Sequence, residues 1–409
     1  MTQKTQTLQT TCCIAGGGPA GMMLGYLLAR AGVDVVVLEK HRDFFRDFRG
    51  DTIHPSTLEL MNRLKLLDDL LKMPHQQLRR IEAHFGDRVL HIADFSRLRT
   101  RCKFIAFMPQ WDFLNFLCRQ AQQCPTFHLR METQATDLLW ENHRAVGVSA
   151  DTTTGRIEVR ADLVVGADGR SSTVRQRAGL EVIDSGAPID VLWLRVTKQP
   201  TDPPQAFGFV GAGQFMVLIN RDEYWQCAYV IRKGAFEAKQ RAGLESFRHE
   251  IARCVPFLKN RTHEIRQWDQ VKLLTVKVDH LRQWHRPGLL CIGDAAHAMS
   301  PVGGVGINLA IQDAVAAARL LAPRLLHHDL QPDDLRRVQN QRQLPARLTQ
   351  RVQVFLHQHL LKPIFDSSDL IAPPLPMRLA ERFPILRRLT AHLIGIGIRP
   401  QYNPPRFSL

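Results

Sequence analysis

Three stretches of the chain share one hydrophobic pattern: a largely apolar run, a glycine-bearing turn, then a change of period. The runs are 11–15 (Thr-Cys-Cys-Ile-Ala), 161–165 (Ala-Asp-Leu-Val-Val) and 289–292 (Leu-Leu-Cys-Ile). Short near-continuous apolar runs suit strands of a mostly parallel sheet, which is buried on both faces. After the first run, Met22, Leu24, Leu27 and Leu28 predict a helix closed by Gly32, and 33–38 predicts a second strand ending at Glu39. After the second, Ser172 is a good N-cap for a helix start. After the third, Ile307, Ala310, Ile311, Ala314 and Ala317 recur at three and four, a helix that Pro323 is expected to stop. A strand at 104–108 and a helix through Phe113, Phe116 and Leu117 precede these last two runs.

Elsewhere the period is two. Residues 81–85 and 89–92 alternate around Gly86-Asp87, a hairpin. Strand-like runs recur at 191–196, 206–210, 214–219, 225–231 and 272–278, with a helix near 234–253, which predicts a separate antiparallel sheet. Its apolar positions Trp193, Met216, Leu218, Trp225 and Tyr229 are candidates for a pocket as well as for sheet core. Beyond Pro323 the chain reads as helical, with breaks expected at Pro332, Pro345 and Pro363, and ends in an apolar stretch flanked by arginines at 387–399. This divides the protein into a discontinuous α/β unit (1–78, 101–180 and 281–330), a sheet unit (79–100 and 181–280) and a helical C-terminal region (331–409).

The first turn carries chemistry. Gly16, Gly18 and Gly21 form a G-x-G-x-x-G between strand and helix, with Pro19 and Ala20 inside it, and Glu39 follows eighteen residues after Gly21. In that context the motif is a dinucleotide fingerprint. Gly16 permits the turn, Gly18 the approach of a pyrophosphate and Gly21 helix–strand packing, while Glu39 takes a ribose hydroxyl pair. At the third run, Asp294 after Gly293 ends a strand, where a carboxylate can hold a polyol. The loop to Gly306 contains Gly303 and Gly304, and the helix starting there offers free N–H groups and partial positive charge.

Composition changes this picture little. A chain of 409 residues with 44% hydrophobic and 23% charged residues is globular and large enough for two or three domains. Eight scattered cysteines without a C-x-x-C pair predict neither a zinc site nor a disulfide framework, and so a reducing, cytoplasmic setting. The first ten residues are polar and no apolar run reaches membrane-spanning length. The net charge of +15 is spread out without a basic block interleaved with aromatics, so no nucleic-acid partner is expected.

The fingerprint, Asp168-Gly169 and Gly293-Asp294, in that order, resemble the single-component (group A) flavoprotein monooxygenases typified by p-hydroxybenzoate hydroxylase, over roughly residues 10–325. The resemblance implies a Rossmann-like FAD-binding domain of the GR2 type with an inserted antiparallel-sheet substrate domain and a helical C-terminal tail. It implies FAD held by Gly16, Gly18, Pro19, Ala20, Gly21, Glu39, Lys40, Arg49, Gln110, Asp168, Gly169, Gly293 and Asp294. It also implies that 301–308 meets the flavin through Pro301, Gly304, Val305, Gly306, Ile307 and Asn308. Pro301, Gly304 and His54 are the residues expected nearest the reaction, and no metal is expected. NAD(P)H would reduce the flavin, and a flavin hydroperoxide would pass one atom of molecular oxygen to an aromatic or other electron-rich small molecule. A base to activate a phenol is not identifiable. Flavin-dependent halogenases share the fold, but their W-x-W-x-I-P signature is absent: 193–195 and 225–227 each lack the second tryptophan. A reductase of prenyl or quinone-type substrates, or a flavoprotein that only binds, are the remaining readings. Peripheral membrane contact through the basic tail and a homodimer complete the expected partners.

Overall fold

The structure is a computed structural model and describes residues 6–45, 51–203 and 208–405. Its centre is a parallel sheet with strands in the order Phe127–Arg130, Val35–Leu38, Gln6–Ala15, Gly155–Gly166 and Leu289–Cys291. The apolar runs form these strands because both faces are covered; Cys12, Cys13, Ile14, Val35, Val37 and Leu163 to Val165 have essentially no exposed surface. Helices Pro19–Arg30 and Gly306–Leu326 pack against each other over this sheet. An antiparallel hairpin, Gln134–Glu141 and Arg144–Thr152, extends it from the first half of Gly155–Gly166. Strand order reverses at Gln6–Ala15: the chain moves to Val35–Leu38 on one side and returns later to Gly155–Gly166 on the other. The crevice beyond its carboxyl end is where such sheets bind ligands.

A second sheet has seven strands in the order Lys272–Thr275, Ile189–Thr197, Tyr224–Arg232, Gln214–Asn220, Gly208–Gly211, Arg80–Phe85 and Arg88–Asp94. The early hairpin thus pairs with strands more than a hundred residues later, through a parallel match of Gly208 to Ala83. One face of this sheet, with Leu192, Leu194, Met216, Leu218, Trp225, Cys227 and Tyr229, packs on helix Leu244–Cys254 and the turns after it. The other, with Val191, Phe215, Val217, Ala228 and Val230, meets Val302 and the C-terminal region. Ala206 and Phe207, expected to open the strand at Gly208, lie outside the described residues.

The C-terminal region departs from expectation at three prolines. Pro323 sits inside Gly306–Leu326 and Pro345 inside Pro332–Leu356, rather than ending them. Each removes one backbone donor. The buried flanks outweigh that cost: Leu321, Ala322 and Leu325 around Pro323, and Arg342 and Ala346 around Pro345, are 0–2% exposed. Pro332 does occupy the first turn of its helix, whereas Pro363 follows a π-helical turn, His357–Leu361, in a helical run that continues to Asp366. The stretch 302–326 is long and apolar enough to cross a membrane, but 78% of its most apolar window is buried inside the fold, as befits a core helix.

Candidate active site

The fingerprint turn is built on close backbone approach. Gly16 has φ +109°, and a Cβ there would lie 2.4 Å from the Ala167 carbonyl oxygen; one at Gly21 would lie 1.9 Å from the Gly16 oxygen. Both sites are closed to side chains. A Cβ at Gly18 would meet nothing within 4 Å, so this residue alone of the three opens onto space at the start of Pro19–Arg30. That division of labour fits a pyrophosphate lying over Gly18 and the helix N-terminus. Pro19 is the first helical residue and Ala20 is buried behind it.

Glu39 is 8% exposed at the end of Val35–Leu38. Its Oε2 accepts from the Gly17 N–H at 3.0 Å and its Oε1 from the His41 N–H at 3.0 Å. The carboxylate is thereby fixed beside the glycine turn, at the strand end where such a fingerprint places an acid for ribose hydroxyls. Lys40 is exposed beside it. Arg49 lies outside the described residues. Gln110 heads helix Gln110–Ala121, its N–H 3.3 Å from Asp51 Oδ1. Asp51 in turn pairs with Arg221, both buried, joining the small strand Thr52–Ile53 to the seven-stranded sheet.

At the end of Gly155–Gly166, Asp168 Oδ2 accepts from the Val174 N–H at 3.1 Å, while Oδ1 is buried without a hydrogen-bond partner. Burial raises the Asp168 pKa, against hydrogen bonds from Ser172 and the backbone that lower it. Gly169 follows with φ +84° and open space where a Cβ would stand. Ser172 caps the next helix as its sequence predicts, Oγ accepting from Arg175 N–H at 3.0 Å. The unpaired Asp168 oxygen at the sheet's ligand-binding end is the mark of a missing polar partner.

Gly293 and Asp294 follow strand Leu289–Cys291. Asp294 is half-buried, and its carboxylate faces Arg170 at 3.9 Å. The backbone under it is held from below: Gly293 N–H donates to Asp313 Oδ2 at 3.0 Å. The same Oδ2 lies 2.6 Å from His297 Nε2, and Asp313 Oδ1 accepts from Arg342 Nε at 2.8 Å. All three side chains are buried. Burial alone would raise the Asp313 pKa; His297 and Arg342 outweigh it and lower it.

The loop 300–305 is pinned from both sides. Ser300 Oγ is 2.9 Å from His357 Nε2, and Gln353 exchanges hydrogen bonds with the Ser300 N–H and the Ser300 and Val302 carbonyls. On the other side Thr52 Oγ1 donates to the Gly304 carbonyl at 2.9 Å. Gly303 and Gly304 both have positive φ, +81° and +64°. Pro301 O accepts from the Gly304 N–H at 3.0 Å, so that N–H closes the turn and is not available to a ring. A Cβ at Gly304 would strike Thr52 Oγ1 at 2.6 Å. Free donors therefore fall to the first N–H groups of Gly306–Leu326, at Gly306 and Ile307. Val305 is buried. The Asn308 side chain is occupied within the protein, its Oδ1 accepting from Ser56 Oγ and Thr57 Oγ1. His54 is fully buried, with Nδ1 2.7 Å from the Ile394 carbonyl. Burial outweighs the Ile394 and Gly304 carbonyls and lowers its pKa to about 4. As a neutral imidazole it can give its one N–H to that tail carbonyl, and Nε2 is buried without a partner among the described residues.

Sequence reasoning missed Asp313, His297, Arg342, Asp51, Arg221, Gln353 and His357. Only Asp313 carried a local signal, a lone acid on the buried face of an apolar helix.

The glycine turn, the two strand-end aspartates and the helix start converge on one crevice, and comparison with known proteins agrees. Residues 9–342 match the profile described as an FAD binding domain. The chain is 32% identical over 390 residues to 6-methylpretetramide 4-monooxygenase of Streptomyces rimosus, covering 93% of this chain and 92% of that protein. PqsL from Pseudomonas aeruginosa superposes with a TM-score of 0.75 at 22% identity, over 88% of this chain and all of the other. The p-nitrophenol 4-monooxygenase PnpA from Pseudomonas putida superposes with a TM-score of 0.74 at 20% identity, over 96% and 95%. At such identities the two structures speak to the fold alone. The match over four-fifths of the chain, together with the relative at 32% identity, places the chain in the group A FAD-dependent monooxygenase family.

Proposed function

We propose that the protein is an FAD-dependent, NAD(P)H-consuming monooxygenase that hydroxylates an aromatic or other electron-rich small molecule with one atom of molecular oxygen. One observation carries the reading beyond the family: Val302 of the glycine loop packs in the same apolar cluster as Val191, Val230 and Val276, with Trp193, Phe215 and Val217 beside it. The loop that would meet the flavin ring and the sheet that would cover the substrate share a dry seam. We assign 1–78, 101–180 and 281–330 as the FAD-binding domain, 79–100 and 181–280 as the substrate domain, and 331–409 as the helical tail. The aromatic class follows relatives named for 6-methylpretetramide and para-nitrophenol, and the use of a nicotinamide donor follows one named as an NADH-specific resorcinol 4-hydroxylase.

Bound FAD supplies the redox chemistry, taking electrons from NAD(P)H and activating oxygen. The chain's own residues hold and orient. Gly18 and the start of Pro19–Arg30 receive the phosphates, Glu39 the ribose, and Asp294 the polyol. The unpaired Asp168 oxygen takes a donor from either nucleotide. The N–H groups at Gly306 and Ile307 stabilise negative charge developing over the helix start. The apolar seam excludes water from that charge.

The test is to purify the protein with FAD, follow NAD(P)H oxidation against an aromatic panel, and supply isotopically labelled dioxygen. Label in the product is the expected result. Hydride consumption with an unlabelled, saturated product would leave a reductase. Bound FAD that NAD(P)H does not reduce would leave a binding protein.

A further inference from the structure

We infer that the two C-terminal helices, Leu375–Arg382 and Pro384–Gly395, dock the protein on an anionic membrane surface. Each is held by one face. Met377, Ala380, Ala391 and Ile394 turn inward, and both helices pack on strand Arg88–Asp94. The outward faces are apolar. Leu375 and Leu379, four apart, continue into Phe383; Ile385, Leu389 and Leu393 follow at the same spacing, which puts each row on one side of its helix. Leu375 is 62%, Ile385 65% and Leu389 56% exposed. Six large apolar side chains left outside on adjoining helices form a patch that calls for an occupant.

The charges around the patch identify that occupant. Residues 371–405 contain five arginines (378, 382, 387, 388 and 399) and one acid. That acid, Glu381, already pairs with Arg88 at 2.9 Å. Arg378 and Arg382 are exposed and lie along one edge of the Leu375–Leu379 row on the helical projection. Apolar side chains at the centre and arginines at the margin match a bilayer interface of acyl chains beneath anionic headgroups. A second copy of the chain fits worse: a two-fold interface would set this patch against itself, arginine against arginine. The net charge of +15 adds repulsion between copies and attraction to an anionic surface. Docking also has a direction. Leu393 faces outward while the carbonyl of its neighbour Ile394 holds His54, behind which lies the glycine loop. The membrane would lie on the side of the molecule nearest the proposed flavin ring, where an apolar substrate partitions.

The FAD-loaded full chain is mixed with vesicles of phosphatidylcholine alone, or of phosphatidylcholine with phosphatidylglycerol, and floated on a density gradient. The expected result is binding to the anionic vesicles only, weakened by high salt. The Ile385→Ser/Leu389→Ser double variant should bind roughly a hundredfold more weakly, about tenfold for each apolar side chain removed. Both residues are surface residues, so FAD content and thermal unfolding should not change. Arg382→Gln/Arg388→Gln should lose the preference for the anionic lipid with the apolar face intact. Failure of the parent to float with either vesicle overturns the inference. So does equal binding by parent and the serine variant. A parent that sediments as a dimer while the serine variant sediments as a monomer assigns the patch to a second copy, and overturns it too.

Discussion

Two imidazoles buried without a charged partner tie stability to pH. His54 and His357 have no exposed surface. Burial lowers the pKa of each from the ordinary 6.5 to about 4. Between those values the unfolded chain binds the protons and the folded protein does not. The stability each contributes is therefore fully present above 6.5 and is lost as pH falls toward 4. The slope is about 1.4 kcal/mol per pH unit for each histidine. Asp313, whose pKa is lowered from 3.8, adds its loss in more acid solution. Urea denaturation at a series of pH values should show the first loss between 6.5 and 4. His357→Gln should flatten the slope by about one histidine's share, near 1.4 kcal/mol per unit; an unchanged slope would mean that the imidazole is not held neutral. These pairings were not legible in the sequence. Gly21, Glu39 and Ser172 were, because their partners lie within one short unit of consecutive elements. Asp313 meets Arg342, and Ser300 meets His357, only after helix Pro332–Leu356 and the turn beyond it have packed on Gly306–Leu326. Nothing local announces that.

At the scale of the element, alternation reports that a strand has two faces but not what each face meets. Met216, Leu218, Trp225 and Tyr229 satisfy the apolar pattern and lie on the face packed by helix Leu244–Cys254. The next residues along, Phe215 and Val217, together with Trp193, face the glycine loop. Both faces are covered, so hydrophobicity could not choose between them; a shift of one residue exchanges them. This makes paired substitutions informative. Leu218→Ala should lose about 2–5 kcal/mol of stability by leaving a cavity, with KM for substrate unchanged. Val217→Ala should cost less stability and shift KM or substrate preference. Denaturant curves and steady-state kinetics on the two variants would decide, and a KM change confined to Leu218→Ala would reverse the assignment of faces. The prolines carry the same lesson. Pro323 and Pro345 read as helix ends because the local rule is correct, yet buried neighbours on both sides carry the helix through them.

At the scale of the whole molecule, the tail is part of the site. Helix Pro332–Leu356 supplies Gln339 to Trp284 and Arg282, Arg342 to Asp313, Gln350 to the carbonyls of Asp279 and Ala298, and Gln353 to the loop at Ser300. The glutamines satisfy backbone groups of the segments on either side of strand Leu289–Cys291, as buried polar groups require. Gln353 offers the clearest test. Its amide accepts from the Ser300 N–H at 3.1 Å and donates to the Ser300 and Val302 carbonyls at 2.9 Å each. Gln353→Leu keeps the volume and removes all three bonds, leaving buried backbone groups unsatisfied at about 1–3 kcal/mol apiece. Part of that cost would be relieved by the loop shifting, and the shift is what matters: Pro301 and the helix start at Gly306 would move relative to the fingerprint turn, which Gln353 does not touch. FAD should therefore still bind through Glu39 and the glycine turn, with a weaker grip at the ring. The expected signature is a stability loss of about 2–4 kcal/mol by denaturation, together with an altered flavin absorption spectrum and a reduction potential lowered relative to the parent, both saturated with FAD. Gln353→Glu, which keeps the acceptor and loses the donors, should fall between the two. A stability loss with the spectrum and potential unchanged would show that Gln353 braces the tail without orienting the loop.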